Sequence, residues 1–423
     1  MQITTMKTLQ KTLAMAATVL AVAANADVSV EDVKCTPRYP WNGLVDIEYT
    51  IGCDDPEAEI YVNPVGFNGD TGLTVFPTHF TGDGATNTVK AGKHTMVWDA
   101  KADLGNLFSS KNFKIKIYAG KKLSRYIVID IAGGTNATEY AIRHSIEGPN
   151  LADDTCRTTE IWMRLIPPGT FMMGSPEDEL GRSDNEDLHK VTLTKPFYMG
   201  VFEVTQRQWE LVMGERPSYF RSNYEVRPVE RISWRVIRGY WGDFAPNSQN
   251  VGGGSFLGKL RLRTKNTGFD LPSEAQWEYT CRAGGVTPFN ADSRGLADTF
   301  GAPFLNSIAQ YYGNSGANAS YNETSLNTTI KVGSLLPNKL GLYDMHGNVD
   351  EWCRDSYNEH LGPYEMTDPI DITNWSSHSV RIYRGGSWVA FANGIRSAQR
   401  YRNTDGFCQN CTGMRLCCSA EAL

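Results

Sequence analysis

The stretch Gly341 to Ser356, GLYDMHGNVDEWCRDS, concentrates side chains that can do chemistry. Asp344, Asp350 and Glu351 surround Gly347 and Asn348, with His346, Trp352 and Cys353 beside them. Carboxylates and main-chain carbonyls wrapped round a tight turn suit a hard cation such as calcium. A histidine among acids suits proton transfer. The plain alternative is a turn that Asp344 caps while Glu351 faces water. Cys408-Gln409-Asn410-Cys411 is a second, weaker candidate for catalysis, because a CxxC binds metal, cycles between dithiol and disulfide, or closes a structural bridge. Other patterns lead nowhere. Gly385-Gly386-Ser387-Trp388 lacks the Gly-x-Ser-x-Gly elbow of a hydrolase, and Gly252-Gly253-Gly254 has no phosphate-loop pattern around it. An iron site needs two or three convergent histidines. The seven here, His79, His94, His144, His189, His346, His360 and His378, are scattered.

The elements that must position these groups fall into two parts. At 423 residues the chain is too long for one ordinary core. Hydrophobic content of 41% and 40 glycines describe a globular, loop-rich protein. A net charge of -6 without any basic run argues against nucleic acid as a partner. Residues 1–26 read as a secretory signal, with Lys7 and Lys11, an apolar run Leu13 to Ala24, and a small-residue site Ala24-Asn25-Ala26. That run is too short to span a bilayer and no later segment is long enough. The expectation is an exported protein, periplasmic or extracellular, starting near Asp27 and without a membrane span.

Export makes disulfides durable. Of the nine cysteines, Cys35 and Cys53 are expected to pair with each other, and Cys408 with Cys411. Vicinal Cys417 and Cys418 are expected to take different partners, because a bridge between neighbours strains the peptide.

Residues 27–134 alternate in the strand period. VDIEYTIG (45–52), AEIYVNPV (58–65), KHTMVWDA (93–100), NFKIKIYA (112–119) and RYIVIDIAG (125–133) are separated by turn residues. This predicts a small antiparallel, Ig- or fibronectin-like β-sandwich. Residues 135–160 lose the period and read as a linker. From Ile161 strand-like pieces mix with two helical segments, one from Thr205 to Met213 and one from Ser273 to Ala283, where Ser273 and Gln276 form a capping-box pattern. Together these predict an α+β second domain over residues 161–419.

The order of blocks in that domain carries a resemblance. IPPGTFMMGSPEDELGR (166–182) and HKVTLTKPFYMGVFEVTQRQWELVMG (189–214) are followed by RPVERISW (227–234) and LPSEAQWEYTCRAG (271–284). GLYDMHGNVDEW (341–352), RGGSW (384–388), RSAQR (396–400) and GMRL (413–416) complete the series. It resembles the formylglycine-generating enzyme, or sulfatase-modifying-factor, family. The resemblance implies a loop-rich, C-type-lectin-like fold and structural calcium. It also implies, for the active members, oxidation of a sulfatase cysteine by O2 at a copper(I) ion held by two thiolates. Those thiols belong between the Gly-Gly-Ser block and the Arg-rich block, yet here Ser387 to Ile395 contains no cysteine. Copper(I) favours sulfur ligands, so copper is not expected. A helical iron-binding domain, as in the sulfoxide-synthase branch, is missing as well. The calcium set that the resemblance implies is Asp344, Gly347, Val349 and Glu351, each suitably filled. A second calcium loop has no clear counterpart in residues 313–329.

The block aromatics Trp162, Phe171, Phe197, Tyr198, Trp209, Trp234, Trp277, Tyr279, Trp352 and Trp388 are expected in the core. Arg396, Arg400 and Arg415 are expected to bridge buried carboxylates or carbonyls. Three functions remain. One is a calcium-stabilised binding protein or pseudo-enzyme, whose ligand is an exported, sulfatase-like protein or peptide, or a glycan. The others are an active formylglycine-generating oxidase and a divergent metal-dependent oxidoreductase of the same family.

Overall fold

The computed structural model describes residues 27–105, 112–239, 250–290, 303–316, 328–370 and 379–423. The expected signal segment, most of residues 313–329 and His378 lie outside the described residues. The chain divides into two compact units after Arg125.

The first unit is an antiparallel sandwich. Its strands are β1 (Val28–Pro37), β2 (Leu44–Cys53), β3 (Tyr61–Asn68), β4 (Leu73–Val75), β5 (Phe80–Gly82), β6 (Gly92–Asp99) and β7 (Phe113–Gly120). They form a sheet of order β1-β2-β6-β5 and another of order β4-β3-β7. Alternate residues of β2 and β6 point inward, among them Val45, Ile47, Tyr49, Met96 and Trp98, all buried. That is the period-two pattern of strands with one face on a core. The register overturns the expected Cys35–Cys53 bridge. In the β1–β2 ribbon Cys35 faces Ile47 whereas Cys53 faces Val28. The two thiols therefore stand at opposite ends, about 20 Å apart at 3.3 Å per residue, far beyond the reach of a disulfide. All nine cysteines are free.

The second unit mixes short strands, short helices and long loops. In chain order its strands are β8 (Tyr126–Asp130), β9 (Ile142–Ser145), β10 (Glu160–Ile166), β11 (Gly169–Met173), β12 (His189–Leu193), β13 (Phe197–Gly200), β14 (Phe269–Asp270), β15 (Ala309–Gln310), β16 (His346–Gly347), β17 (Asp350–Ser356), β18 (Met366–Thr367), β19 (Val380–Arg384), β20 (Tyr401–Thr404), β21 (Thr412–Gly413) and β22 (Cys417–Ser419). The largest sheet has the order β14-β22-β13-β10-β8-β9. Here β8, read from sequence as the last sandwich strand, pairs with β10 and β9 instead. The segment 135–160 is likewise no linker, since β9 belongs to this sheet and Cys156 and Arg157 are buried. A second sheet, β20-β19-β17-β21, carries the acid-rich stretch.

Both expected helices form. Gln206–Met213 starts at Thr205 and Glu274–Arg282 at Ser273, each with a complete capping box. A helix at Phe256–Thr264, capped by Ser255, was not anticipated. All the block aromatics named above are buried, at 8% exposure or less. No helix among the described residues is long and apolar enough to cross a membrane.

Candidate functional site

The backbone around β16 and into β17 bends through three left-handed residues, Asp344 at φ 57°, Gly347 at φ 82° and Asn348 at φ 61°. Gly347 is required for space as well as for its backbone, because a Cβ there would meet the Gln310 carbonyl oxygen at 2.1 Å. The sequence-expected calcium residues are thereby gathered on one turn. Both side-chain members are buried, Asp344 at 3% and Glu351 at 1% exposure. Their partners differ. Glu351 accepts from Trp277 Nε1 at 2.7 Å, and Arg415 grips both of its oxygens, the shortest contact being 2.6 Å. Asp344 accepts from Gly333 N through Oδ2 at 2.7 Å, while its buried Oδ1 has no partner.

A third buried acid stands beside them. Glu203 accepts from Asn348 Nδ2 at 2.6 Å and from Val349 N at 3.0 Å, tying the turn to the segment before the helix Gln206–Met213. Arg415 bonds Glu351 and its positive charge also acts on Glu203 and Asp344, with Arg157 a second cation acting on Asp344. Burial, reinforced by the charges of Asp344 and Glu351, pushes Glu203 well above the usual carboxylate range. Burial raises Asp344 to about 6. Surplus buried negative charge and one orphaned oxygen fit a hard cation in part. Among the described residues no three His, Cys, Asp or Glu side chains converge on one ion. The fit therefore rests on Asp344 and Glu351, with main-chain carbonyls at Gly347 and Val349 as the remaining expected ligands.

His346 is held as a packed, hydrogen-bonded ring. It is 1% exposed, donates from Nδ1 to the Ile395 carbonyl at 2.7 Å, and offers Nε2 to Asn290 N at 3.3 Å. Burial drops its pKa to about 4, so the ring is neutral. The three arginines are buried girders, as expected. Arg396 holds Glu179 and Glu186, Arg400 holds Glu274, and Arg415 holds Glu351.

Asp350 points into a different cluster. Its side chain hydrogen-bonds Ser387 and Cys411, and its backbone N–H donates to the Cys411 carbonyl at 2.7 Å. The parallel pairing of Asp350 with Thr412 fixes this register. Phe220, Trp388 and Val389 pack round Cys411. Glu230, fully buried, accepts from Phe220 N at 2.9 Å through Oε1, leaves Oε2 without a partner, and lies near enough for its charge to act on Cys411. Burial lifts Asp350 and Glu230 each to about 7, and pushes the Cys411 thiol up strongly. Cys408, three residues away, is exposed. The interval Ser387 to Ile395 folds as a turn followed by a 3-10 helix, Ala392–Ile395.

The model of the sulfatase-modifying factor enzyme 1-like domain matches residues 149–420, well over half of the chain. The chain belongs to that family. Among its relatives, the chaperone protein LppX of Paenibacillus barcinonensis is 32% identical over 227 residues, covering 48% of this chain and 72% of that protein. The formylglycine-generating enzyme of Mus musculus is 25% identical over 332 residues, covering 69% of this chain and 84% of the enzyme. A second mouse protein, inactive C-alpha-formylglycine-generating enzyme 2, is 24% identical over 290 residues, covering 60% and 85%. The chain spans only 37% of the serine/threonine-protein kinase pkn1 of Chlamydia pneumoniae, to which it is 30% identical over 261 residues. Active and inactive relatives thus stand at nearly equal identity, and the side chains of the site must discriminate.

Sequence reasoning missed Glu203 and Glu230. Glu203 is a lone acid in the apolar run VFEVT, whereas Glu230 lies between two arginines in RPVERISW. For Glu203 that placement was the available signal, since a charge in an apolar run is either solvated or expensively buried.

Proposed function

We propose that this family member is an exported, calcium-stabilised binding protein or pseudo-enzyme on a C-type-lectin-like variant of the fold, without the family's copper chemistry. The observation that carries the reading is the absence of any cysteine from Ser387 to Ile395. A soft copper(I) ion needs the two thiolates that belong there. Asp344 and Glu351, with the carbonyls of Gly347 and Val349, are the residues that would hold calcium. Bound calcium would supply positive charge against the three buried carboxylates and fix the turn. The ligand class that the family suggests is an exported protein or peptide, sulfatase-like, or a glycan.

A second reading is an active oxidase, and the match along 84% of an enzyme named for formylglycine generation favours it. A divergent metal-dependent oxidoreductase is its variant. The two main readings separate on one assay. Purified protein is incubated with copper(I), O2 and a peptide containing Cys-x-Pro-x-Arg, and the peptide is followed by mass spectrometry. The binding reading expects the cysteine to stay intact. Conversion to an aldehyde establishes the oxidase and removes the pseudo-enzyme.

A further inference from the structure

The sheet β11-β12-β18 forms one wall of a cavity. Met173 is the direct cross-strand partner of His189, and Met366 is the partner of Val191, two residues further along β12. Side chains two apart on a strand share a face, so Met173, His189 and Met366 stand on the same side of the sheet. The first turn of the helix Glu274–Arg282 supplies another wall through Glu274 and Ala275. The cavity measures about 360 Å3, within the range of small-molecule pockets. His189 has an unfinished set of hydrogen bonds there. It is 2% exposed, and its Nδ1 lies 2.8 Å from the Asp187 carbonyl, which can only accept. Nδ1 therefore carries the proton, and Nε2 of the neutral ring is a lone pair. That nitrogen is buried and has no hydrogen-bond partner. The two acids on the wall are already engaged. Glu274 takes Arg400 at 2.7 and 3.0 Å, and Asp355 accepts from Glu274 N at 2.8 Å. No lysine or arginine lines the cavity, so nothing on its wall answers an anion. Apolar walls oppose a charge of either sign. A buried acceptor in such a place calls for a donor.

We infer that this cavity binds a small neutral aromatic molecule, indole- or phenol-sized, whose single N–H or O–H donates to His189 Nε2. The ring packs against Met173, Ala275, Leu361 and Met366. Two thioethers suit such a body, because methionine is flexible, fills irregular gaps and makes favourable sulfur–aromatic contacts. None of Asp344, Gly347, Val349, Glu351 or the interval Ser387 to Ile395 lines the cavity. The inference is therefore independent of the calcium reading and of the missing copper thiols.

The test uses the full chain and two pairs of probes, indole with 1-methylindole and 4-methylphenol with 4-methylanisole, titrated by isothermal calorimetry. At least one donor-bearing probe should bind at one per chain, about tenfold more tightly than its methylated counterpart, the worth of one hydrogen bond to a buried acceptor. In His189→Asn the amide can keep the bond to the Asp187 carbonyl but puts no acceptor in the place of Nε2, so the two members of the pair should bind alike. Ala275→Leu fills the cavity and should abolish binding of both. Far-UV circular dichroism establishes that each variant is folded. A readout on the wild type stands whether or not a variant folds. The 15N resonance of His189 Nε2 should move with the donor-bearing probe and stay in place with the methylated one. Absence of saturable binding by both donor-bearing probes overturns the site, as does undiminished binding in Ala275→Leu. A methylated probe that binds as tightly as its parent, an unmoved Nε2 resonance, or a preference that survives in His189→Asn overturns the role given to His189.

Discussion

Glu230 shows how much one side chain can contribute when water is withheld from it. Burial raises its carboxyl from 4.5 to about 7, against the weaker opposing pull of the Phe220 and Tyr219 amides and of Arg231. Between those values the folded chain keeps a proton that the unfolded chain has released. The stability contributed at this position is therefore complete below the unfolded value, falls as pH rises, and is gone above the folded value. The difference is on the order of 3 kcal/mol. Replacing Glu230 by Gln, which is neutral at every pH, should remove this part of the slope. Urea unfolding of wild type and variant, at about pH 5 and about pH 8, measures it directly through the change in unfolding free energy. Identical slopes in both proteins would mean that Glu230 reaches water in solution. Nothing in RPVERISW reveals such a residue in advance, because burial of an acid is decided by what folds over it. Asp344 and Glu351 were legible because a tight turn declares its own geometry. The commitment of Glu351 to Arg415 was not legible, since 64 residues separate them.

Single elements were legible where their signals are local. The capping box at Ser273 names its helix outright, because cap and third residue satisfy each other's backbone groups within four positions, and the structure adds the same box at Thr205. In the helix Glu274–Arg282 the Ser273 hydroxyl accepts from Gln276 N at 3.1 Å, and the Gln276 side chain accepts from Ser273 N at 2.9 Å. Ser273→Ala should cost about 1 kcal/mol, read as a lower urea midpoint with an unchanged slope. Ser273→Asn, another good cap, should recover most of it, and equal losses in the two variants would show that packing rather than capping is felt. Signals that depend on partners failed. The period of β8 announces a strand but not its sheet, so a segment next to the sandwich in sequence was assigned to the sandwich. Cys35 and Cys53 share a domain, which suggests a bridge, whereas antiparallel register sets them at opposite ends of a ribbon. The helix Phe256–Thr264 follows three glycines and contains Gly258 among basic residues, which hides the periodicity.

The two units make a prediction about the whole chain, because each has a core of its own. In the first, Trp98 stacks on Phe113 within a sandwich core that also includes Val28, Ile47 and Ile117. The second contains every expected calcium residue and the three buried acids Glu203, Asp344 and Glu351. Separate cores allow two cooperative transitions in calorimetry, where a single two-state melt would require the units to lose structure together. Calcium that binds only the folded turn stabilises by mass action, on the order of 1–3 kcal/mol for an extracellular-type site in excess calcium. EDTA should therefore lower the transition of the second unit and leave the sandwich transition where it was. Asp344→Asn is the sharper control, because it removes the charge on the orphaned oxygen while sparing the Glu351–Arg415 pair. That variant should lose most of its response to EDTA and gain stability without calcium, since one surplus buried charge has gone. A chelator effect that moves both transitions alike, or that is as large in Asp344→Asn as in the wild type, would place the ion elsewhere and leave protons, not calcium, as what balances the three acids.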